Sequence, residues 1–315
     1  MNYCGSFTSN IFAQALSMHT ELVDNISKKH NSLFIMFPVS KYLSLLYAIP
    51  EIASYHYISN DMIRFCDSIE KRFGADTSSH YNKLLLLTLI IAANKNVKWT
   101  QFNNDIIRLY LLNFKRIISQ IVDNSYDDDY YNRGNDKFCK DLAVSCLRMI
   151  PVGSRKIHLY GIPKTFLFKG KIHHIFNRVL FILFNLKGFK PLYEMHTDSH
   201  DPDLMAEFNP EGFIRSYKRI AGILKENPRV KGAFAGSWFY DPQIASISPR
   251  LAYLREIITD NGGKGFFMGD NQASTQDALL KSSTRRKLFE EKKYIPHVYM
   301  IIWPRKNMLQ WAEKV

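Results

Sequence analysis

Residues 209–240 read NPEGFIRSYKRIAGILKENPRVKGAFAGSWFY, and this stretch decides the fold. Asn209-Pro210 predicts a helix start, because Asn is a good N-cap and Pro suits the first helical position. Apolar residues then recur at helical spacing until Asn227-Pro228, which ends the helix. Val230–Tyr240 follows as an apolar run with small residues, typical of a strand that a ligand or another backbone approaches closely. A helix that leads directly into a strand indicates an α/β domain.

The same alternation extends in both directions from this stretch. The pattern predicts strands at Ile157–Tyr160, Thr165–Phe168, Leu192–Met195, Gly265–Met268 and His297–Trp303. Helices are predicted from Pro249 to about Thr259 and from Ser274 to Glu291. Residues 155–315 are therefore expected to form an α/β domain with a mixed sheet, and this domain carries the candidate active site.

The amino-terminal part, residues 1–150, reads as mostly helical. Tyr81–Ala93 and Phe102–Val122 predict two long helices that are buried or half buried. A chain of 315 residues is long enough for two domains. We therefore expect a helical region followed by the α/β domain.

The charge balance favours anionic partners, since the net charge is +13 and the pI is about 9.4. Nucleic acid, acidic lipid headgroups and coenzyme A are all anions of this kind. The basic residues are dispersed and no nucleic-acid-binding motif is present, so nucleic acid is not the expected partner. An anionic membrane surface and a small-molecule or acyl substrate are the alternatives.

Cysteine usage and the apolar runs suggest a location for the protein. The four cysteines lack a CxxC spacing, which argues against a zinc knuckle or a disulfide framework: Cys4, Cys66, Cys139 and Cys146. The first residues lack the pattern of a signal peptide, and the run Leu84–Ala93 is too short to cross a bilayer. These features predict a cytoplasmic protein, with a peripheral membrane location as the alternative.

A segment from Lys169 to Gly188 combines a basic start with a dense apolar centre. One interpretation is an interfacial segment that touches anionic lipid. The other is a buried element with cationic ends. The first interpretation keeps a non-enzymatic membrane-surface or scaffolding protein among the alternatives.

The strongest candidate for chemistry is the acidic segment, Pro191–Glu211, in which no Lys or Arg occurs. It holds two histidines, His196 and His200, and six carboxylates: Glu194, Asp198, Asp201, Asp203, Glu207 and Glu211. Carboxylates beside imidazoles are suited to acid–base catalysis and to metal binding. The alternative is an acidic loop in which Asp and Asn serve as turn formers and helix caps.

Side chains alternate along a strand, so Glu194, His196 and Asp198 are predicted to share one face. Glu194 or His196 would then act as a general base, with Asp198 orienting the imidazole and His200 as a further catalytic candidate. Separately, Arg250, Arg285 and Arg286 are candidates for an anion-binding site, because guanidinium groups bind phosphate or carboxylate through paired hydrogen bonds.

Two resemblances suggest reactions for this segment. His196-x-Asp198, His297 and Arg305 resemble, in order, the His-x-Asp…His…Arg pattern of iron- and 2-oxoglutarate-dependent oxygenases. That resemblance implies Fe(II) held by His196, Asp198 and His297, with 2-oxoglutarate as co-substrate.

The order of elements over residues 230–303 resembles the second half of GNAT acyltransferases. Asp270-Asn271 and Tyr294 stand at matching places, while Gln243–Arg250 replaces the family's glycine-rich loop. The resemblance implies a coenzyme A site that includes Asn271, and a catalytic Tyr294. The leading hypothesis is an acyltransferase that uses acyl-CoA or another acyl thioester, with an amine or small metabolite as the acceptor.

Overall fold

The computed structural model describes residues 3–123, 128–169, 172–197, 205–280 and 282–315, except for the side chains of residues 3–7, 128 and 172–174. The chain divides into two compact units, Met1–Pro151 and Val152–Val315. The first unit is helical and the second contains the sheet, so the predicted mixed α/β class is confirmed.

The first unit is built around a helix that is buried on all sides. Its helices are α1 (Tyr3–Lys29), α2 (Leu33–Met36), α3 (Val39–Tyr47), α4 (Asn60–Phe73), α5 (Ala75–Ala93), α6 (Val97–Gln101), α7 (Asn104–Val122) and α8 (Asp136–Ser145). A 3-10 turn spans Asp128–Tyr131, and a short strand, β1 (Met149–Pro151), ends the unit. In α5 the four leucines from Leu84 to Leu87 are all buried, which explains why the second half of its sequence is apolar all round.

The second unit is organised on a mixed sheet. Its strands are β2 (Arg155–Tyr160), β3 (Leu192–Thr197), β4 (Gly232–Ser237), β5 (Lys264–Gly269) and β6 (Val298–Pro304). They lie side by side in the order β2-β3-β4-β6-β5. The β3–β4 pair is parallel, whereas the other three pairs are antiparallel. The parallel pair needs a crossover, which a helix between β3 and β4 provides.

Helices and turns connect these strands. The helices are α9 (Ile172–Leu180), α10 (Pro210–Glu226), α11 (Ile244–Ile247), α12 (Tyr253–Thr259), α13 (Gln272–Leu280), α14 (Ser283–Glu290) and α15 (Arg305–Ala312). A π-helical turn, Phe181–Leu186, continues α9, and 3-10 turns span Lys164–Phe168, Trp238–Tyr240 and Pro249–Leu251. The predicted start of α10 is confirmed, since the Asn209 side chain accepts a hydrogen bond from the Gly212 N–H at 2.8 Å.

The sheet carries a different apolar layer on each face. On one face Leu192, Phe234 and Ile302 pack with Phe166 and Phe181, which come from the chain between β2 and β3. On the other face, rings of α10 and α15 meet the sheet through Tyr217–Trp303 and Trp303–Trp311, and Tyr217–Trp311 joins the two helices. On the face that carries Leu192, polar side chains are therefore confined to the parts of the strands that the apolar layer does not cover.

Two predictions of local structure are wrong. Thr165–Phe168, predicted as a strand, lies in a 3-10 turn, because Pro163 starts a turn in which the Phe166 N–H donates to the Pro163 carbonyl. The single basic helix predicted from Ser274 to Glu291 is two helices, α13 and α14. Ser282 starts the second one, since its hydroxyl accepts a hydrogen bond from the Arg285 N–H.

No helix in the described part of the chain combines the length and the apolar character that a membrane crossing requires.

Candidate functional site

The candidate site is formed by facing side chains of β2 and β3. His158 lies opposite Glu194 in the antiparallel register, and Lys156 lies opposite His196. Side chains of directly opposed residues point to the same face of a sheet, and so do those two residues apart. All four polar side chains therefore share one face, as the alternation predicted for Glu194 and His196.

The two imidazoles lie within hydrogen-bond distance of each other, and the carboxylate lies at or just beyond that distance from both. His196 Nε2 lies 3.2 Å from His158 Nδ1, and the stacked rings have centroids 5.0 Å apart. The Glu194 Oε2 atom is 3.5 Å from His158 Nε2 and 3.6 Å from His196 Nε2. We call these three residues the His-Glu-His cluster.

Burial differs among the three members of the cluster. The His158 side chain is 3% exposed, whereas those of His196 and Glu194 are 18% and 24% exposed. A reactant can therefore reach Glu194 and His196, while His158 supports them from the interior. Ligand atoms of the three residues all lie within 4.8 Å of one another, so they also form a group that could hold a divalent cation.

The parallel pairing of β3 and β4 is short. Its register includes only Tyr193 with Ala233 and Glu194 with Phe234, although β3 extends to Thr197 and β4 to Ser237. Gly236 is exposed, and a Cβ atom built on it would meet no atom of the described residues within 4 Å, so we call this point of β4 the opening at Gly236. Crevices at the carboxyl ends of parallel strands are common ligand sites.

Other parts of the acidic segment have a structural role. The Glu207 carboxylate accepts a hydrogen bond from Arg219 at 2.9 Å and lies 3.3 Å from Arg215 Nε. Arg219 also donates to the Val152 carbonyl. Asp198 and His200, both predicted as catalytic, lie outside the described residues, as do Asp201 and Asp203.

Tyr294 is buried in a small apolar cluster with Trp238, Ile244 and Ala278. Burial raises the pKa of the Tyr294 hydroxyl, and the nearby carboxylate of Asp241 raises it further. The phenol therefore keeps its proton at neutral pH. Its predicted catalytic role stays a prediction.

Arg285, predicted as an anion ligand, is 4% exposed. Its guanidinium donates to the Ala278 carbonyl at 2.6 Å and to the Ser248 hydroxyl at 3.0 Å. It also lies 4.6 Å from the centre of the Trp238 ring. These contacts hold α13 and α14 to the preceding turns.

The other three predicted ligands of a cofactor lie at the surface. Arg286 donates to the carbonyls of Leu279 and Leu280, and Asn271 accepts from the Ser274 N–H at the start of α13. Arg250 is exposed in the turn Pro249–Leu251. Two short elements, α11 and this turn, stand in place of a glycine-rich loop. The cofactor role of these residues stays a prediction.

His297, the third ligand in the oxygenase hypothesis, has a different partner from His196. Its Nδ1 lies 2.5 Å from an oxygen of Asp270, and its backbone N–H donates to the buried carboxylate of Asp241. Among the described residues, the candidate metal ligands that the structure brings together are His158, Glu194 and His196.

Sequence reasoning missed His158 and Lys156. His158 lies in the predicted strand Ile157–Tyr160, and Lys156 lies next to it. The available signal was the alternation of His158 with apolar neighbours. Their proximity to Glu194 and His196 depends on the pairing of β2 with β3, which the sequence does not specify.

Comparison with known proteins gives a limited result. No protein-family model matches the sequence, and no curated protein is significantly similar to it. An acyltransferase solved in complex with decanoyl-CoA is 10% identical, with a TM-score of 0.48, over 89% of this chain and 98% of that chain.

A second solved structure, an acyltransferase in complex with decanoyl-CoA and teicoplanin, is also 10% identical. Its TM-score is 0.44 over 75% of this chain and 68% of that chain. Similarity at this level assigns no reaction to the chain, so its function has to be inferred from the residues of the site.

Proposed function

We propose that this protein is an acyltransferase that moves an acyl group from a thioester donor to an amine or another small nucleophilic metabolite. One observation carries the proposal: the His-Glu-His cluster lies on one face of the sheet, beside the opening at Gly236 where β3 and β4 separate. A candidate base therefore lies beside an exposed and uncrowded point of the sheet.

The reaction needs a group that accepts a proton at neutral pH. As the amine nitrogen attacks the thioester carbonyl, it must lose a proton, and the carbon–sulfur bond then breaks to release a thiolate. Glu194 is the proposed base because its carboxylate is the most exposed member of the cluster and lies 3.5–3.6 Å from both imidazoles. The imidazoles share the proton and return it to the departing thiolate, so the enzyme ends the cycle unchanged.

The donor has a suitable place along the separated strands. Residues 195–197 of β3 and 235–237 of β4 lie beyond the last residue pair of the two strands. The thioester arm of coenzyme A contains two amide groups, and an extended amide chain pairs with strand backbone as an added strand would. The thioester is thereby directed toward the carboxyl end of β3, where Glu194 and His196 lie.

Thiol release by the full-length protein tests the proposal. Acyl-CoA donors of short, octanoyl and decanoyl chain length are supplied with a panel of amines, and acylated products are identified by mass spectrometry. Glu194→Gln is expected to lower kcat by about 10²–10⁴-fold, because the amide keeps the shape and loses the base. Glu256→Gln, an exposed position on α12, is the matched control and keeps the wild-type rate.

Two outcomes would reject the proposal. One is that no acyl-CoA binds to the folded protein at any chain length. The other is that Glu194→Gln keeps the wild-type rate. The oxygenase hypothesis would be favoured instead if the purified protein contained iron, if chelators abolished its activity and if that activity did not require an acyl-CoA donor.

A further inference from the structure

The chain between β2 and β3 has an unusual charge distribution. No Asp or Glu occurs from Lys164 to Lys190, whereas six Lys and Arg residues do. On the surface of a globular protein, cationic side chains are usually interspersed with acidic ones. We call residues 164–190 the basic segment.

One side of the basic segment is fixed to the sheet. Phe181 and Leu186 are buried in the apolar layer with Phe234 and Ile302. Arg178 is 1% exposed, and its guanidinium donates to the Phe166 carbonyl at 2.6 Å. It also donates to the carbonyls of Lys169 and Phe267. The inner side of the segment therefore has a defined orientation on the sheet.

The outer side of the segment exposes large apolar groups. Phe168, Phe176, Leu183 and Phe184 are 72%, 65%, 58% and 73% exposed. Among the described side chains, three of the four exposed phenylalanines of the chain lie here. Phe176, Leu183 and Phe184 are seven and eight positions apart, which places them on one side of the continuous helical run.

Lysines accompany these apolar groups. Lys164, Lys169, Lys187 and Lys190 are exposed and occur at both ends of the segment. We call the four apolar and four lysine side chains the basic aromatic face. Aromatic rings accompanied by lysines are typical of helices that lie in the plane of a membrane interface.

We propose that the basic aromatic face docks onto the surface of an anionic lipid bilayer. The charge favours lipid over a second copy of the chain, because two such faces would bring eight lysines together without a carboxylate. The length of the helical run also fits: Ile172–Leu186 rises about 20 Å, which is less than the roughly 30 Å of a hydrocarbon core. The helix would thus lie flat, with the phenylalanines among the headgroups. This proposal does not depend on acyl transfer.

Flotation of the full-length protein with lipid vesicles tests the proposal. The vesicles contain phosphatidylcholine alone or phosphatidylcholine mixed with phosphatidylserine. We expect binding to the mixed vesicles only, and weaker binding as salt is raised, because each lysine near the surface contributes about fivefold at low salt.

Two double variants separate the apolar and the charge contributions. Phe176→Ser with Phe184→Ser, and Lys169→Glu with Lys187→Glu, are each expected to lower the affinity by at least about tenfold. Phe289→Ser with Lys292→Glu is the matched control on another surface and is expected to stay within about twofold of wild type. All four side chains changed on the face are exposed, so the melting temperature should stay close to that of wild type.

Three results would overturn the proposal. One is wild-type protein that floats with neither type of vesicle, and another is a control variant that loses as much affinity as the other two. The third is a wild-type dimer in sedimentation that the Phe176→Ser, Phe184→Ser variant converts to a monomer, and a second copy would then be the occupant of the face.

Discussion

Substitution of Gly236 should raise the free energy of unfolding and lower the catalytic activity. A Cβ atom at this position meets no atom of the described part of the chain within 4 Å. Glycine within a strand is less stable than alanine by about 0.5–1 kcal/mol, because the unfolded chain loses more freedom on folding. Gly236→Ala is therefore expected to raise the free energy of unfolding by about that amount. Gly236→Val should add up to about 1 kcal/mol more, because branched side chains favour strands.

The effect on activity follows from the same open space. Gly236 and Phe234 point to the face that carries Glu194, so the two methyl groups of a valine would lie where the reactants are proposed to meet. Misplacement of a reactant by about 1 Å costs about 10²-fold. We therefore expect Gly236→Val to lower kcat/KM by about 10²-fold, and Gly236→Ala by less than about tenfold.

Gly212 provides the contrast. A Cβ atom there would lie 2.0 Å from the Glu207 carbonyl oxygen, which is backbone and cannot move freely. Gly212→Ala is expected to lower the free energy of unfolding by about 1–3 kcal/mol. Urea denaturation and thiol release measure the two quantities on the same samples. A stable Gly236→Val variant with unchanged kcat/KM would refute the assignment of this space to the reactants.

Arg178→Met is expected to lower the free energy of unfolding by about 3 kcal/mol, because one buried and two partly buried carbonyls lose a charged donor. Arg215→Met, which removes an exposed ion pair, should cost less than about 1 kcal/mol, and equal losses in urea denaturation would contradict this account. Burial raises the pKa of the Cys139 thiol from 9.0 to about 11, with a smaller contribution from the Asp136 carboxylate. At pH values between these two pKa values the thiol of the unfolded chain loses a proton that the folded chain keeps. The free energy of unfolding should therefore fall as pH rises, by up to about 2–3 kcal/mol. Cys139→Ala should remove that part of the pH dependence, and an unchanged slope would argue against it.

Local periodicity carried most of the information that the sequence held about the fold. Asn209-Pro210 predicted the start of α10 because capping is a contact between neighbours in sequence. The shared face of Glu194 and His196 followed from strand alternation, which is also local. The break between α13 and α14 was not predicted, because the apolar pattern continues almost unchanged past Ser282.

Contacts between distant segments could not be predicted in this way. His158 meets Glu194 only because β2 pairs with β3, and the whole stretch from Gly161 to Pro191 separates the two strands. Arg285 was predicted as an anion ligand, because guanidinium groups bind phosphate or carboxylate through paired hydrogen bonds. The structure buries it against Trp238 and two oxygen acceptors, and that environment comes from three other parts of the chain.

The two ends of β3 explain why the site lies where it does. Leu192 and Glu194 point to the same face, yet Leu192 is buried under the basic segment and Glu194 is partly exposed. The apolar layer formed by Phe166 and Phe181 therefore covers the first half of the strand and ends before the second half. A carboxylate under that layer would pay a large desolvation cost, whereas at its edge the carboxylate keeps contact with solvent and with two imidazoles. The position of the cluster is thus a consequence of where the basic segment stops covering the sheet.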